Sequence, residues 1–237
     1  MNSFSENTRY LQNIQNENEI DLNFPFVIRE YSEKYRALIP FYRRLNLTVE
    51  EIAEIGNYQD VHPWRLQKKD WSIQIPKNWS DKTYCYVINS SCRFDDFFKS
   101  LSDAEQALVS KSIQNIDSAV RKSRVPVNQF IYRGVYDIDW ISNPSAYTVF
   151  KDAGFNSFSL ELENACRYVN PVKPILFRLY LVSGMSALFI DSSEFEVLRP
   201  RNVSYKIIEI SKQYVPLNKE ANINKEALIF TIEENRT

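Results

Sequence analysis

The sequence predicts an α+β fold in which helices come first and strands follow. Three observations predict it. Two capping boxes, Thr48-Val49-Glu50-Glu51 and Ser102-Asp103-Ala104-Glu105, lie in the first half of the chain, each at the head of a predicted helix. After residue 128, six short segments rich in β-branched and aromatic residues are separated by Pro, Asn, Ser or Gly. One helical stretch, 162–169, interrupts them.

The elements follow in order. Residues 1–24 are polar and Asn-rich, a lead-in. Residues 24–47 carry apolar side chains three or four apart, the helical period, and Pro40 divides that segment. The Thr48 box opens a helix predicted to end near Gly56. His62-Pro63-Trp64 begins a loop, and Trp71, Ile73 and Ile75 alternate before Pro76. Residues 82–89 (KTYCYVIN) read as a strand. The Ser102 box opens a helix over 103–122 with Leu108, Val109, Ile113, Ile116 and Val120 on one face, and Pro126 closes the connection that follows. The predicted strands are 129–135, 155–160, 175–182, 186–190, 203–210 and 227–232. This divides the chain into a mainly helical region, 1–100, of unassigned role and a core, 101–237, with one continuous domain as the alternative. Trp64, Trp71 and Trp79 lie close in sequence and read as core or as a partner-docking surface.

Composition excludes several chemistries. The 237 residues are 44% hydrophobic, enough for a sizeable core in one large domain or two small ones. The formal net charge of -1 gives no bulk-charge argument for nucleic acid or a membrane surface. No apolar run approaches the roughly 20 residues that span a bilayer. The polar N-terminus lacks the basic-then-apolar layout of a secretory signal. The four glycines, Gly56, Gly134, Gly154 and Gly184, are too far apart for a dinucleotide-binding or P-loop motif. A single histidine, His62, argues against metalloprotease motifs and His-rich metal sites. Cys85, Cys92 and Cys166 have no metal-ligand spacing and read as buried thiols in a reducing compartment. No metal is expected.

Glu194-Phe195-Glu196 is an electrostatic oddity. In an extended segment, residues two apart project to the same side, where two carboxylates repel. The pair makes sense if it faces a cation or a sugar hydroxyl. Upstream, Arg133 follows Tyr132 and precedes Gly134 at a predicted strand end, and Ser157 lies in Phe155-Asn156-Ser157-Phe158-Ser159.

In this order, the three motifs resemble those of the arginine–serine–glutamate class of mono-ADP-ribosyltransferases, which includes bacterial exotoxins and effectors and phage-encoded host-modifying enzymes. Tyr132-Arg133-Gly134 is similar to the arginine motif, Phe155-Asn156-Ser157-Phe158-Ser159 to the aromatic-x-Ser-Thr-Ser motif, and Glu194-Phe195-Glu196 to the E-x-E motif. The resemblance covers about residues 103–211 and implies a mostly antiparallel, split β-sheet core. It also implies NAD as substrate and a host protein as acceptor, with no nucleic acid partner and no membrane insertion. Arg133 would hold NAD through the fixed fork of its guanidinium. Gly134 would leave room for the nicotinamide amide, and Ser157 would orient the catalytic carboxylate. Glu196 would accept a hydrogen bond from the ribose 2′-hydroxyl, and Glu194 would position the acceptor. Ser159 and Arg167 would be further NAD-side residues, Arg167 within a phosphate–nicotinamide loop over 167–174. In the family a glutamate at the Glu194 position goes with arginine acceptors and a glutamine with asparagine or others, so arginine is the expected acceptor.

The sequence departs from the family pattern in two places. Phe158 replaces the usual central threonine, at a position that often faces away from NAD. The loop Asp191-Ser192-Ser193 is short, leaving Phe189 or Phe195 as the aromatic for target recognition. Asp137, Asp139 and Asp191 read as loop residues. The expected site of action is a target-cell cytoplasm, reached by non-classical export or from a phage genome. Two other readings stand beside this one. The same scaffold would modify a nucleobase or RNA end, which Glu194 and the lack of basic surplus oppose, or it would bind without turnover, which the intact Arg133, Ser157 and Glu196 oppose.

Overall fold

The computed structural model describes residues 47–59, 83–125, 128–141, 143–191, 194–218 and 223–235. The lead-in, the helical segment before residue 47, the His62 loop, the Trp71 alternation, the tryptophan cluster and Pro126 lie outside the described residues.

Among the described residues four helices precede the strands: α1 (Val49–Gln59), α2 (Tyr84–Arg93), α3 (Asp95–Lys99) and α4 (Asp103–Lys122). Both capping boxes form. The Thr48 hydroxyl accepts from the Glu51 N–H at 3.2 Å, while the Glu51 carboxylate accepts from the Thr48 N–H at 2.8 Å. Ser102 and Glu105 pair in the same way at the head of α4. Helix α1 runs on through Gly56 to Gln59 rather than ending there. Buried Ile55 and Tyr58 hold that turn against the core, outweighing the roughly 1 kcal/mol that glycine costs within a helix.

Helix α2 corrects the strand expected over 82–89. Its β-branched and aromatic composition suggested a strand, but Tyr84, Val87 and Ile88 are buried at helical spacing while Tyr86 is exposed. The Thr83 hydroxyl caps the helix by accepting from the Tyr86 N–H at 3.3 Å. On its buried side the Tyr84 hydroxyl donates to Glu54 Oε2 at 2.9 Å and pairs with the Ser112 hydroxyl, locking α1, α2 and α4 together.

The strands among the described residues are β1 (Gln129–Val135), β2 (Val149–Asp152), β3 (Asn156–Ser159), β4 (Ile175–Leu181), β5 (Leu188–Asp191), β6 (Glu196–Arg199), β7 (Val203–Asn218) and β8 (Ile223–Glu234). Helix α5 (Leu162–Ala165) and a 3-10 turn (Cys166–Tyr168) follow β3. The sheet order is β2-β7-β8-β4-β1-β3-β6-β5, parallel between β4 and β8 and antiparallel elsewhere. The α+β class and the mostly antiparallel core are as the sequence implied.

Strand lengths differ from expectation. The β7–β8 hairpin reaches well past 203–210 and 227–232, an extension hidden in the sequence because its outer half is mostly polar and Pro216 sits at a register shift. Strand β2 alternates exposed and buried residues, but over four residues only, too few to read.

Strands β1 and β4 share a seven-pair ladder, whereas β1 and β3 meet at a single pair, Tyr132 and Ser159. The sheet is split there. The main core packs Ile55, Tyr84, Ile88 and Ile116 from the helices against Ile131, Phe177, Leu198 and Phe230 from the sheet, so side chains from both sides of residue 100 share one cluster. A smaller cluster of Ala165, Leu176, Val215, Ala227 and Ile229 seats α5. Among the described residues no helix is long and apolar enough to cross a membrane.

Candidate functional site

A cavity of about 330 Å³ opens beside the split between β1 and β3. Arg133 and Gly134 reach it from β1, Ser157 and Ser159 from β3, and Glu194 and Glu196 from the start of β6. Helix α2 closes another side with Cys85, Asn89 and Arg93. Its volume lies in the range of small-molecule pockets.

The two glutamates do not share an extended segment. Glu194 and Phe195 form a turn, and only Glu196 is in β6. Phe195 takes a left-handed φ of 50°, a conformation that costs a non-glycine residue about 1 kcal/mol or more. Neighbouring backbone holds the turn. The Ser159 hydroxyl donates to the Glu194 carbonyl at 2.7 Å and accepts from the Glu161 N–H at 3.0 Å. The Leu160 N–H donates to the Phe195 carbonyl at 3.0 Å. Ser159 therefore acts as a clamp on the turn that presents both carboxylates to one cavity.

Arg133 belongs to a charged network. Its Nη1 donates to Asn156 Oδ1 and lies 3.5 Å from Asp152. Arg93 grips the same buried Asp152 with two bonds, of 2.8 and 3.0 Å. Burial works against the charge on Arg93, but the Asp152 carboxylate more than offsets it, so the guanidinium is held above its ordinary range. A Cβ at Gly154 would lie 2.7 Å from Arg93 Cζ, so the glycine leaves room for the guanidinium in this position. Asp152 thus sets the distance between two guanidiniums and leaves donors of Arg133 facing the cavity.

Helix α2 also fixes the start of β3. Asn89 Oδ1 accepts from the Phe155 N–H at 2.8 Å, and Asn89 Nδ2 donates to the Tyr58 hydroxyl at 2.8 Å. Burial raises the Cys85 thiol, with the Glu196 carboxylate adding to the effect, so this thiol is protonated at neutral pH and is no nucleophile.

Gly134 has a packing role. A Cβ there would sit 2.2 Å from the Ala165 carbonyl oxygen and 3.0 Å from the Tyr168 carbonyl carbon. The missing side chain lets α5 and the 3-10 turn lie directly on β1. That contact brings Tyr168 over the cavity, where its hydroxyl donates to Glu194 Oε1 at 2.5 Å. Burial and the Glu194 carboxylate both raise the Tyr168 phenol, so it remains a donor.

Of the residues singled out from the sequence, Arg133, Gly134, Ser157, Ser159, Glu194 and Glu196 come together. Arg167 does not. It is exposed and outside the cavity lining, because side chains of neighbouring residues in a 3-10 turn diverge and Tyr168 takes the inward position. Phe189 is buried in the core, not an exposed recognition aromatic, and Phe195 is half-buried against it. Phe158 is buried as well, on the face of β3 opposite Ser157 and Ser159. Asp137 and Asp139 are exposed loop residues. Sequence reasoning missed Arg93, Asp152, Asn89 and Tyr168. Asn156 lies inside the motif that carries Ser157, and Tyr168 lies beside Arg167, which the resemblance put forward within the phosphate–nicotinamide loop.

The family model described as ADP-ribosyltransferase exoenzyme matches residues 86–231, more than half of the chain. No curated protein matches. Several solved structures are similar in fold. Plx2a, an ADP-ribosyltransferase toxin from Paenibacillus larvae, is 17% identical with a TM-score of 0.54, over 86% of this chain and 96% of that one. The ADP-ribosylating toxin BECa of a binary enterotoxin of C. perfringens, solved with NADH, is 18% identical with a TM-score of 0.53, over 85% of this chain and 46% of that one. The ADP-ribosyltransferase Vis, solved in complex with agmatine, is 17% identical with a TM-score of 0.58, over 88% of each chain. At these identities the likeness is one of fold.

Proposed function

The chain belongs to the ADP-ribosyltransferase exoenzyme family, and from that premise we propose that it transfers ADP-ribose from NAD to an arginine side chain of a host protein, releasing nicotinamide. The observation that carries this reading is the convergence of Arg133, Ser157, Glu194 and Glu196 on one cavity at the split of the sheet.

The chemistry divides among these residues. Arg133, braced by Asn156 and Asp152, holds an anionic oxygen of NAD. The bond between the ribose and nicotinamide breaks, nicotinamide leaves with the electron pair, and the ribose gains oxocarbenium character. Glu196 accepts a hydrogen bond from the 2′-hydroxyl and stabilises that charge, with Ser157 orienting it. One such preorganised contact is worth about 3 kcal/mol in a transition state. A guanidino nitrogen of the acceptor then bonds to the ribose carbon. Free guanidinium stays protonated far above neutral pH, so it does not lose its proton beforehand. Glu194 orients it and takes the proton as the new bond forms.

Two observations support arginine as the acceptor. A second carboxylate, Glu194, stands at the cavity beside Glu196, and a protein of similar fold is solved with agmatine, itself a guanidinium compound. The test is to incubate the protein with labelled NAD and host lysate. The wild type labels a protein band, Glu196→Ala does not, and mass spectrometry of the band finds ADP-ribose on arginine. Label on another residue type, or on nucleic acid, would overturn the acceptor assignment. No label with either protein would overturn the activity.

A further inference from the structure

Tyr168 has no part in the roles given above, yet its hydroxyl donates to Glu194 Oε1 at 2.5 Å. Both partners line the cavity. The residue is 54% exposed, so the core does not depend on its hydroxyl. The backbone beneath it is fixed, because the Tyr168 carbonyl carbon would lie only 3.0 Å from a Cβ at Gly134. Glu194 is equally fixed through its carbonyl, which accepts from the Ser159 hydroxyl at 2.7 Å. The side chain of Glu194 is the remaining freedom in this turn, and Tyr168 is what restrains it.

We propose that Tyr168 is a positioning residue for the transfer step, its hydroxyl fixing one oxygen of Glu194 so that the other receives the acceptor guanidinium. This rests on the reading of Glu194 as the acceptor carboxylate. A carboxylate with one oxygen tethered presents the other in a defined direction, which suits the planar fork of a guanidinium. The tether also couples two halves of the site. Arg133 and Gly134 are consecutive on β1, Tyr168 rests on Gly134, and Glu194 hangs from Tyr168. A shift of β1 on the NAD side therefore reaches the acceptor carboxylate directly. The raised phenol of Tyr168 keeps the donor in place across neutral pH.

The experiment compares wild type, Tyr168→Phe and Tyr168→Ala in the full chain. Each is measured for hydrolysis of NAD without acceptor and for transfer of ADP-ribose to agmatine. Tyr168→Phe keeps the ring and loses only the hydroxyl. Its kcat/KM for agmatine is expected to fall roughly tenfold, the scale of one charge-assisted hydrogen bond. The KM for NAD and the rate of hydrolysis stay within about twofold, and the melting temperature is unchanged. Tyr168→Ala, which also takes the ring out of the cavity lining, loses at least as much transfer as Tyr168→Phe. Wild-type transfer by Tyr168→Phe beside impaired Tyr168→Ala would mean that the ring, not the hydroxyl, matters, and would overturn the proposal. Parallel loss of hydrolysis and transfer, or a lowered melting temperature for Tyr168→Phe, would overturn it too. A wild type that consumes no NAD would overturn the functional reading and the tether's role together, whereas an active wild type matched by Tyr168→Phe overturns the tether alone.

Discussion

Tyr132 on β1 pairs with Ser159 on β3, and this single pairing joins two parts of the sheet that otherwise diverge. Arg133 and Gly134 follow Tyr132, and Ser157 precedes Ser159, so the residues beside this junction border the cavity. A full β1–β3 ladder, like the seven pairs between β1 and β4, would close the space. The site thus comes from an interruption in strand pairing as much as from the side chains that line it.

Gly134→Ala tests the contact that seats the 3-10 turn. The new methyl would meet the Ala165 carbonyl oxygen at 2.2 Å, and a backbone atom cannot swing aside as a side-chain tip can. The variant is expected to lose about 1–3 kcal/mol of stability in denaturant unfolding, the usual cost of overpacking. NAD hydrolysis should fall with it. A variant as stable as wild type would show that the turn does not depend on this close approach.

Arg93→Met tests the charged network. Asp152 is only 7% exposed and would keep a single cationic partner, Arg133, at 3.5 Å. Removing one partner of a buried pair costs about 3 kcal/mol or more, and the remaining Arg133 limits that loss. Asp152 would then draw Arg133 away from the cavity, so the KM for NAD is expected to rise more than kcat falls. If steady-state kinetics found KM unchanged, Asp152 would not set the position of Arg133.

Acid should weaken the helical side of the fold through Glu51. Burial acts to raise its carboxyl, but hydrogen bonds from Lys122, Ser118 and the Thr48 N–H together hold it below the ordinary 4.5. Lys122 Nζ lies 2.7 Å from the Glu51 carboxylate. The folded state therefore favours the ionised form. That contribution is present above about 4.5 and is lost as pH falls through the lower folded value. Glu51→Gln should be less stable than wild type at neutral pH, and the gap should narrow on acidification. Urea midpoints across that range give the check, and a gap independent of pH would contradict it.

Much of this was legible in the sequence because it rests on local rules. Two capping boxes fixed the starts of α1 and α4, and β1 was bounded correctly at Gln129 and Val135. Six of the residues that line the cavity stand out in the sequence because the order of their motifs resembles that of a known class. What was missed depends on tertiary contact. Helix α2 has strand-like composition, and only burial of Tyr84, Val87 and Ile88 along one face makes it a helix. Asp152 and Arg93 lie 59 residues apart and carry no shared pattern. The glutamate pair does border one cavity, but a turn with Phe195 in a left-handed conformation, not a strand face, brings it there.

The most direct test of the division of labour is one assay run on three proteins: wild type, Glu194→Ala and Glu196→Ala, each with NAD alone and with NAD plus agmatine. Glu196→Ala should lose both hydrolysis and transfer, because the 2′-hydroxyl contact serves bond breaking whatever the acceptor. Glu194→Ala should lose transfer and keep NAD hydrolysis, because only acceptor handling is removed. Full activity in Glu196→Ala, or equal loss of both activities in Glu194→Ala, would contradict the assignment of separate tasks to the two carboxylates.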